Sequence, residues 1–113
     1  SKVMNVIGNV NEKTCIIVDD IIDSGGTIVN AAKALKDRGA KEVFVYITHG
    51  ILSGDAVEKI KKSVIKKLVI TDTIDNNERL KSAKNIEVLS ISNLMGEAIK
   101  RISNSTSVSD LFK

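Results

Sequence analysis

Three carboxylates and a glycine pair crowd into nine residues: Asp19, Asp20 and Asp23, then Ser24-Gly25-Gly26-Thr27. An apolar stretch, Cys15-Ile16-Ile17-Val18, leads into them, and apolar residues at helical spacing follow. A strand entering a helix through a tight glycine turn leaves free main-chain N–H groups at the helix start. Those amides and the helix dipole favour an anion such as phosphate. Gly25 and Gly26 allow close backbone approach to a ligand, and the hydroxyls of Ser24 and Thr27 can add donors. The loop holds no lysine or arginine, so a phosphate there must rest on amides and hydroxyls. The acids would repel a bare polyphosphate. They can accept hydrogen bonds from sugar hydroxyls and bind Mg²⁺ directly or through water. The chemistry that fits both halves is recognition of a sugar phosphate.

Elements that could position this loop are legible around it. Thr14 to Val18 is a short apolar run rich in branched residues and predicts a buried strand. Val43 to Ile47 and Lys67 to Ile70 predict two more, and Ile86 to Ile91 predicts a fourth with a half-exposed face or an edge position. Ile28, Ala31, Ala32 and Leu35 predict a helix stopped by Gly39. Ala56, Val57 and Ile60 predict a second helix with Ser53 as its N-cap. A helical turn is expected after Asn76, and Leu94, Met95, Ala98, Ile99 and Ile102 predict a last helix opened by Ser92 or Asn93. Ser103 to Ser109 reads as a polar loop. The expected class is α/β, with a mostly parallel sheet flanked by helices in one domain over residues 1–113. In such sheets ligands bind at the carboxyl ends of the strands, where Asp19 and Asp20 would lie.

Each site residue also has an ordinary structural reading. Asp23 or Ser24 can cap a helix, Gly25-Gly26 can be a plain turn, and Asp19 and Asp20 can be solvated strand ends. Their conjunction at a strand-to-helix junction is what favours a ligand site. Other chemistries lack residues. There is no Walker lysine loop, no Gly-x-Gly-x-x-Gly, no zinc-protease motif and no cysteine pair, and His49 is the only histidine. The net charge of +3 comes mostly from lysines, densest from Lys59 to Lys67, which read as a solvated face. With only Phe44, Tyr46 and Phe112 aromatic, there are no stacking platforms among them, and nucleic acid is not an expected partner. No apolar run is long enough to predict a membrane span. The single Cys15 reads as a small core residue and points to a reducing, cytoplasmic compartment.

The stretch Ile16 to Thr27 resembles the phosphoribosyl-diphosphate loop of type I phosphoribosyltransferases and ribose-phosphate pyrophosphokinases. Arg38-Gly39-Ala40-Lys41, Thr48-His49-Gly50, Ser53-Gly54, Thr71-Asp72-Thr73-Ile74 and Ser107-Val108-Ser109-Asp110-Leu111-Phe112 resemble, in order, the C-terminal part of the pyrophosphokinases. That resemblance implies a phosphoribosyltransferase-like fold. It also implies transfer of the β,γ-diphosphoryl group of ATP to ribose-5-phosphate, with Mg²⁺, giving phosphoribosyl diphosphate and AMP for nucleotide biosynthesis. On it, Asp19 and Asp20 hold the ribose hydroxyls and a hydrated Mg²⁺, while Asp23, Ser24, Gly25, Gly26 and Thr27 cradle the 5-phosphate. Ser107, Val108 and Ser109 match a segment that contributes to a phosphate/ADP regulatory site between subunits of a homo-oligomer.

The same resemblance places the adenine site, the catalytic histidine and the basic catalytic loop outside this chain. The expectation is therefore a fragment, inactive by itself, of a diphosphokinase, with no catalytic residue assigned within it. Asp75-Asn76-Asn77 follows Ile74 where the family often has proline, and reads as a surface variation. The alternatives are a catalytically dead pyrophosphokinase-associated regulatory protein and a purine or pyrimidine phosphoribosyltransferase.

Overall fold

The computed structural model describes residues 5–113. Strand β1 (Thr14–Ile22) leads into helix α1 (Gly26–Asp37), and β2 (Glu42–Gly50) into α2 (Ala56–Lys61). Strand β3 (Lys67–Thr71) is followed by α3 (Asn77–Leu80), and β4 (Ile86–Leu89) by α4 (Ser92–Ser103) and a short 3₁₀ helix, Ser109–Phe112. The four strands form one sheet in the order β1-β2-β3-β4, every pairing parallel. The α/β class and the parallel sheet are as expected. Helix α1 stops as expected at Gly39, whose φ is 93°. The amides of Gly39 and Ala40 fold back onto Lys36 and Leu35 carbonyls.

Sequential strand order with right-handed crossovers puts every connecting helix on the same face of a sheet. The core follows this rule. Val43, Val45 and Ile47 of β2, Leu68 and Ile70 of β3, and Ile86 of β4 pack against Ile28 and Ala32 of α1, Ala56, Val57 and Ile60 of α2, and Leu80 of α3. Among the described residues nothing covers the other face, where Val18 is 75% and Leu89 55% exposed, with Ile16 and Tyr46 beside them.

The expected burial of the first strand is therefore corrected. β1 is an edge strand, covered on one side through Cys15 and Ile17 and bare on the other. Its apolar run cannot distinguish a strand covered on both faces from one awaiting a second layer. β1 is also longer than its apolar core predicts. It runs through both acids to Ile22, because β2 is long enough to pair with it as far as Gly50. Cys15 is half-buried against the core. Helix α4 has no buried residue, so its apolar stripe, Leu94, Met95, Ile99 and Ile102, is exposed.

Candidate functional site

The Asp19–Thr27 segment bridges the carboxyl end of β1 and the start of α1. Gly25 takes φ 85°, a left-handed conformation that glycine adopts without a Cβ penalty, and serves as the helix N-cap. Its carbonyl accepts the Val29 N–H at 3.0 Å, which closes the first turn. Among the described residues, the amides of Ser24 to Ile28 donate to no backbone or side-chain acceptor. Ser24 and Thr27 are exposed, Gly26 is half-buried and Gly25 is buried. A hollow of about 290 Å³ is lined by Asp19, Asp23, Ser24, Gly25 and Thr27, together with Ile21, Ile22 and Ile28.

The structure thus brings Asp19, Asp23 and the loop together and sets Asp20 apart. Successive strand residues point to opposite faces. Asp19 lies opposite core-facing Ile47 in the β1–β2 register, and Asp20 does not line the hollow. The Asp20 N–H donates to Asp19 Oδ1 at 2.8 Å. Among the described residues, no three acidic, histidine or cysteine side chains converge as metal ligands. That donor set fits Mg²⁺ only in the mode in which the ion keeps most of its water and is shared with substrate oxygens. A larger hollow of about 370 Å³ lies on the bare sheet face, lined largely by Val18, Tyr46, Val69 and Leu89. It is largely apolar, though Asp19, Thr48, Thr71 and Glu87 also line it, and unlike the smaller hollow it includes no residue of the Asp23–Thr27 loop.

Two neighbours of the loop were not legible as such. Ser53, expected to cap α2, instead donates its hydroxyl to the Asp23 carboxylate, and Asp55 is the cap. Lys59, expected on a solvated face, pairs with Asp55 at 3.4 Å and reaches the Ser24 carbonyl at 3.5 Å. The loop itself carries no cation, yet α2 brings one beside it. Only the packing of α2 against α1 could reveal that, since 35 residues separate Lys59 from Ser24.

The other strand-end motifs bond to one another. Thr71 Oγ1 donates to the Thr48 carbonyl at 2.6 Å, and His49 Nδ1 lies 2.8 Å from Thr73 Oγ1. Asp72 Oδ1 accepts the Ile91 N–H at 2.9 Å, tying the end of β3 to the entry of α4. The Ser90 side chain and then that N–H hold the Asp72 carboxyl below its ordinary 3.8. Asn76 is not a surface variation. It is 5% exposed, and its Nδ2 donates to the Gly50 carbonyl at 2.6 Å. At the far end, the Ser107 and Ser109 hydroxyls are 2.9 Å apart, and Arg101 Nη1 donates to the Ser107 carbonyl at 3.1 Å, so the 107–109 loop folds back on α4.

The profile of the phosphoribosyl synthetase-associated domain matches residues 1–113, the whole chain. The chain belongs to that family. The chain is 59% identical over 112 residues to a ribose-phosphate pyrophosphokinase of Hyphomonas neptunium, covering 99% of itself and 36% of the relative. It is 50% identical over 113 residues to the enzyme of the same name from Buchnera aphidicola, again 36% of its length. The crystal structure of phosphoribosylpyrophosphate synthetase from Mycobacterium smegmatis matches with a TM-score of 0.79 and 35% identity, over 88% of this chain and 33% of that one. The phosphoribosyl synthetase-associated domain seen here therefore spans about a third of the length of the curated relatives it matches. The expected placement at the C-terminal end does not stand on these matches; what they support is membership and share of length. Motif order within one third of a protein contains no marker of the longer chain's ends. Among the described residues, no helix is long and apolar enough to cross a membrane.

Proposed function

We propose that this chain carries the ribose-5-phosphate cradle of a ribose-phosphate pyrophosphokinase, whose parent activity makes phosphoribosyl diphosphate and AMP from ATP and ribose-5-phosphate. The observation that carries the reading is the hollow at the β1–α1 junction, which Ser24, Gly25 and Thr27, whose amides are unspent, line together with Asp19 and Asp23, Gly26 standing outside the lining. The amides and hydroxyls hold the 5-phosphate without a cationic side chain in the loop. Asp19 accepts from the ribose hydroxyls and, with Asp20, engages the water shell of Mg²⁺, which when bound neutralises charge on the phosphoryl groups. Lys59 adds positive potential beside the phosphate while remaining paired with Asp55. The chain's contribution is positioning, and ATP is held elsewhere in the parent. The 107–109 loop, Ser107, Val108 and Ser109, contributes to a phosphate/ADP site between subunits of a homo-oligomer.

Titration of the isotope-labelled chain with ribose-5-phosphate and Mg²⁺ tests the cradle. Amide shifts should appear at Ser24 to Thr27. Asp19→Asn should weaken binding by about ten- to 150-fold, as loss of a charge-assisted hydrogen bond of roughly 1.5–3 kcal/mol does. Asp20→Asn should weaken it less, because Asp20 does not line the hollow. Shifts confined to other residues would sink the assignment. A fold-only, pyrophosphokinase-associated regulatory role predicts no binding at the loop.

A further inference from the structure

The peptide units from Gly50 to Ser53 are held from both sides. Toward the cradle, the amides of Ile51 and Leu52 donate to the Ile22 carbonyl at 2.9 and 3.2 Å. The Ser53 amide donates to the Asp23 carbonyl at 3.0 Å, and the Ser53 hydroxyl donates to the Asp23 carboxylate. Away from it, Asn76 Nδ2 donates to the Gly50 carbonyl at 2.6 Å, Arg79 Nη1 donates to the Ile51 carbonyl at 3.2 Å, and Arg79 Nη2 donates to the Leu52 carbonyl. Arg79 Nη1 also donates to Asn76 Oδ1 at 2.9 Å, so the two side chains fix each other. Leu52 in the middle is fully buried and takes φ 55°, a conformation that non-glycine residues adopt when their surroundings impose it.

We infer that Arg79 and Asn76 are positioning residues for the cradle, acting on Asp23 and the phosphate loop through the 50–53 turn. The physical basis is the rigid fork of the guanidinium. It engages two successive carbonyls at once, which a single donor cannot do. With those carbonyls fixed, the N–H groups of the same peptide planes are aimed at Ile22 and Asp23. The carboxylate of Asp23 is thereby turned by Ser53 within the hollow, and the loop's free amides need no ligand to set their orientation. The mechanical coupling stands on these hydrogen bonds alone. Its consequence for ligand rests on the ribose-5-phosphate reading above.

The experiment compares wild type, Arg79→Ala, Arg79→Lys and Lys81→Ala by amide spectra and hydrogen exchange. Among the described residues, the Lys81 ammonium makes one exposed pair, with Glu78, and Lys81 serves as the control. Arg79→Ala should raise exchange at Ile51, Leu52 and Ser53 by about fivefold or more, the scale of losing hydrogen bonds from a charged donor. It should also shift the amide resonances of Ser24 to Thr27, while β3 keeps its rates. Arg79→Lys keeps the charge and loses the fork, so it should show a smaller change of the same pattern, and it serves alone if Arg79→Ala unfolds. Unchanged loop amides, or a rise shared equally by β3, overturn the coupling. Where wild type binds ribose-5-phosphate, Arg79→Ala should weaken binding about fivefold, with partial recovery in Arg79→Lys. Unchanged binding would overturn the positioning role. Absence of wild-type binding would overturn the proposed function alone, and the exchange comparison would still decide the coupling.

Discussion

The two faces of the sheet differ sharply. On one, α1, α2 and α3 bury a continuous aliphatic core, and the loops above it are cross-braced from β1 to α3. On the other, Ile16, Val18, Tyr46 and Leu89 stand exposed, and α4 carries its own exposed stripe. Composition does not separate the two, since both are built from branched aliphatic residues. Connection does. Sequential parallel strands return through helices on one side, so this topology covers one face and leaves the other bare among the described residues. The candidate site belongs to the completed side, where its amides and carboxylates are set by packed neighbours.

The sharpest test of this contrast is a pair of identical changes. Ile60→Ala removes a side chain that is 0% exposed and should cost about 2–5 kcal/mol in urea unfolding. Ile99→Ala, at 62% exposure, should stay within about 0.5 kcal/mol. Equal costs would mean that α4 is packed in solution and that the asymmetry is not real.

Next in size is the polar brace. Asn76→Ala removes the Asn76 donor to the Gly50 carbonyl and one of the acceptors of the Arg79 guanidinium, and should cost about 1–3 kcal/mol. A thermal midpoint indistinguishable from wild type would show that the brace is not a distinct property of this side.

The smallest expected effect lies at the junction between the faces. The Asp72 carboxyl titrates below its ordinary value in the folded chain. Its contribution is thus present above 3.8 and is lost as pH falls through the lower folded value. The Ile91 amide resonance should follow that titration, and Asp72→Asn should abolish the dependence while leaving the core signals in place. An Ile91 amide insensitive to acid would remove Asp72 as the tie between β3 and α4.

The sequence carried the strand-to-helix junction, since the apolar run, the glycine pair and the helical spacing are local signals. It carried the strand ends less well. β1 and β2 extend past their apolar cores because each supplies the other's hydrogen-bond partners, and pairing is not a local property. Ser53 looked like a helix cap because its type and offset suit one, yet the nearby Asp23 carboxylate claims its hydroxyl. Asn76 looked like surface substitution because polar residues in a turn usually are; here the turn folds under Gly50.

What the chain's order of residues determined by itself was the class of fold, the parallel sheet and the glycine loop with its neighbouring acids. These depend on short-range periodicity and on backbone freedom at a few positions. Only the tertiary structure decided which sheet face is covered, which acids line the hollow, that Lys59 and Ser53 reach its loop, and that Asn76 and Arg79 brace the turn behind it. Those outcomes depend on crossover handedness and on contacts between residues far apart in the chain, and no local pattern encodes either.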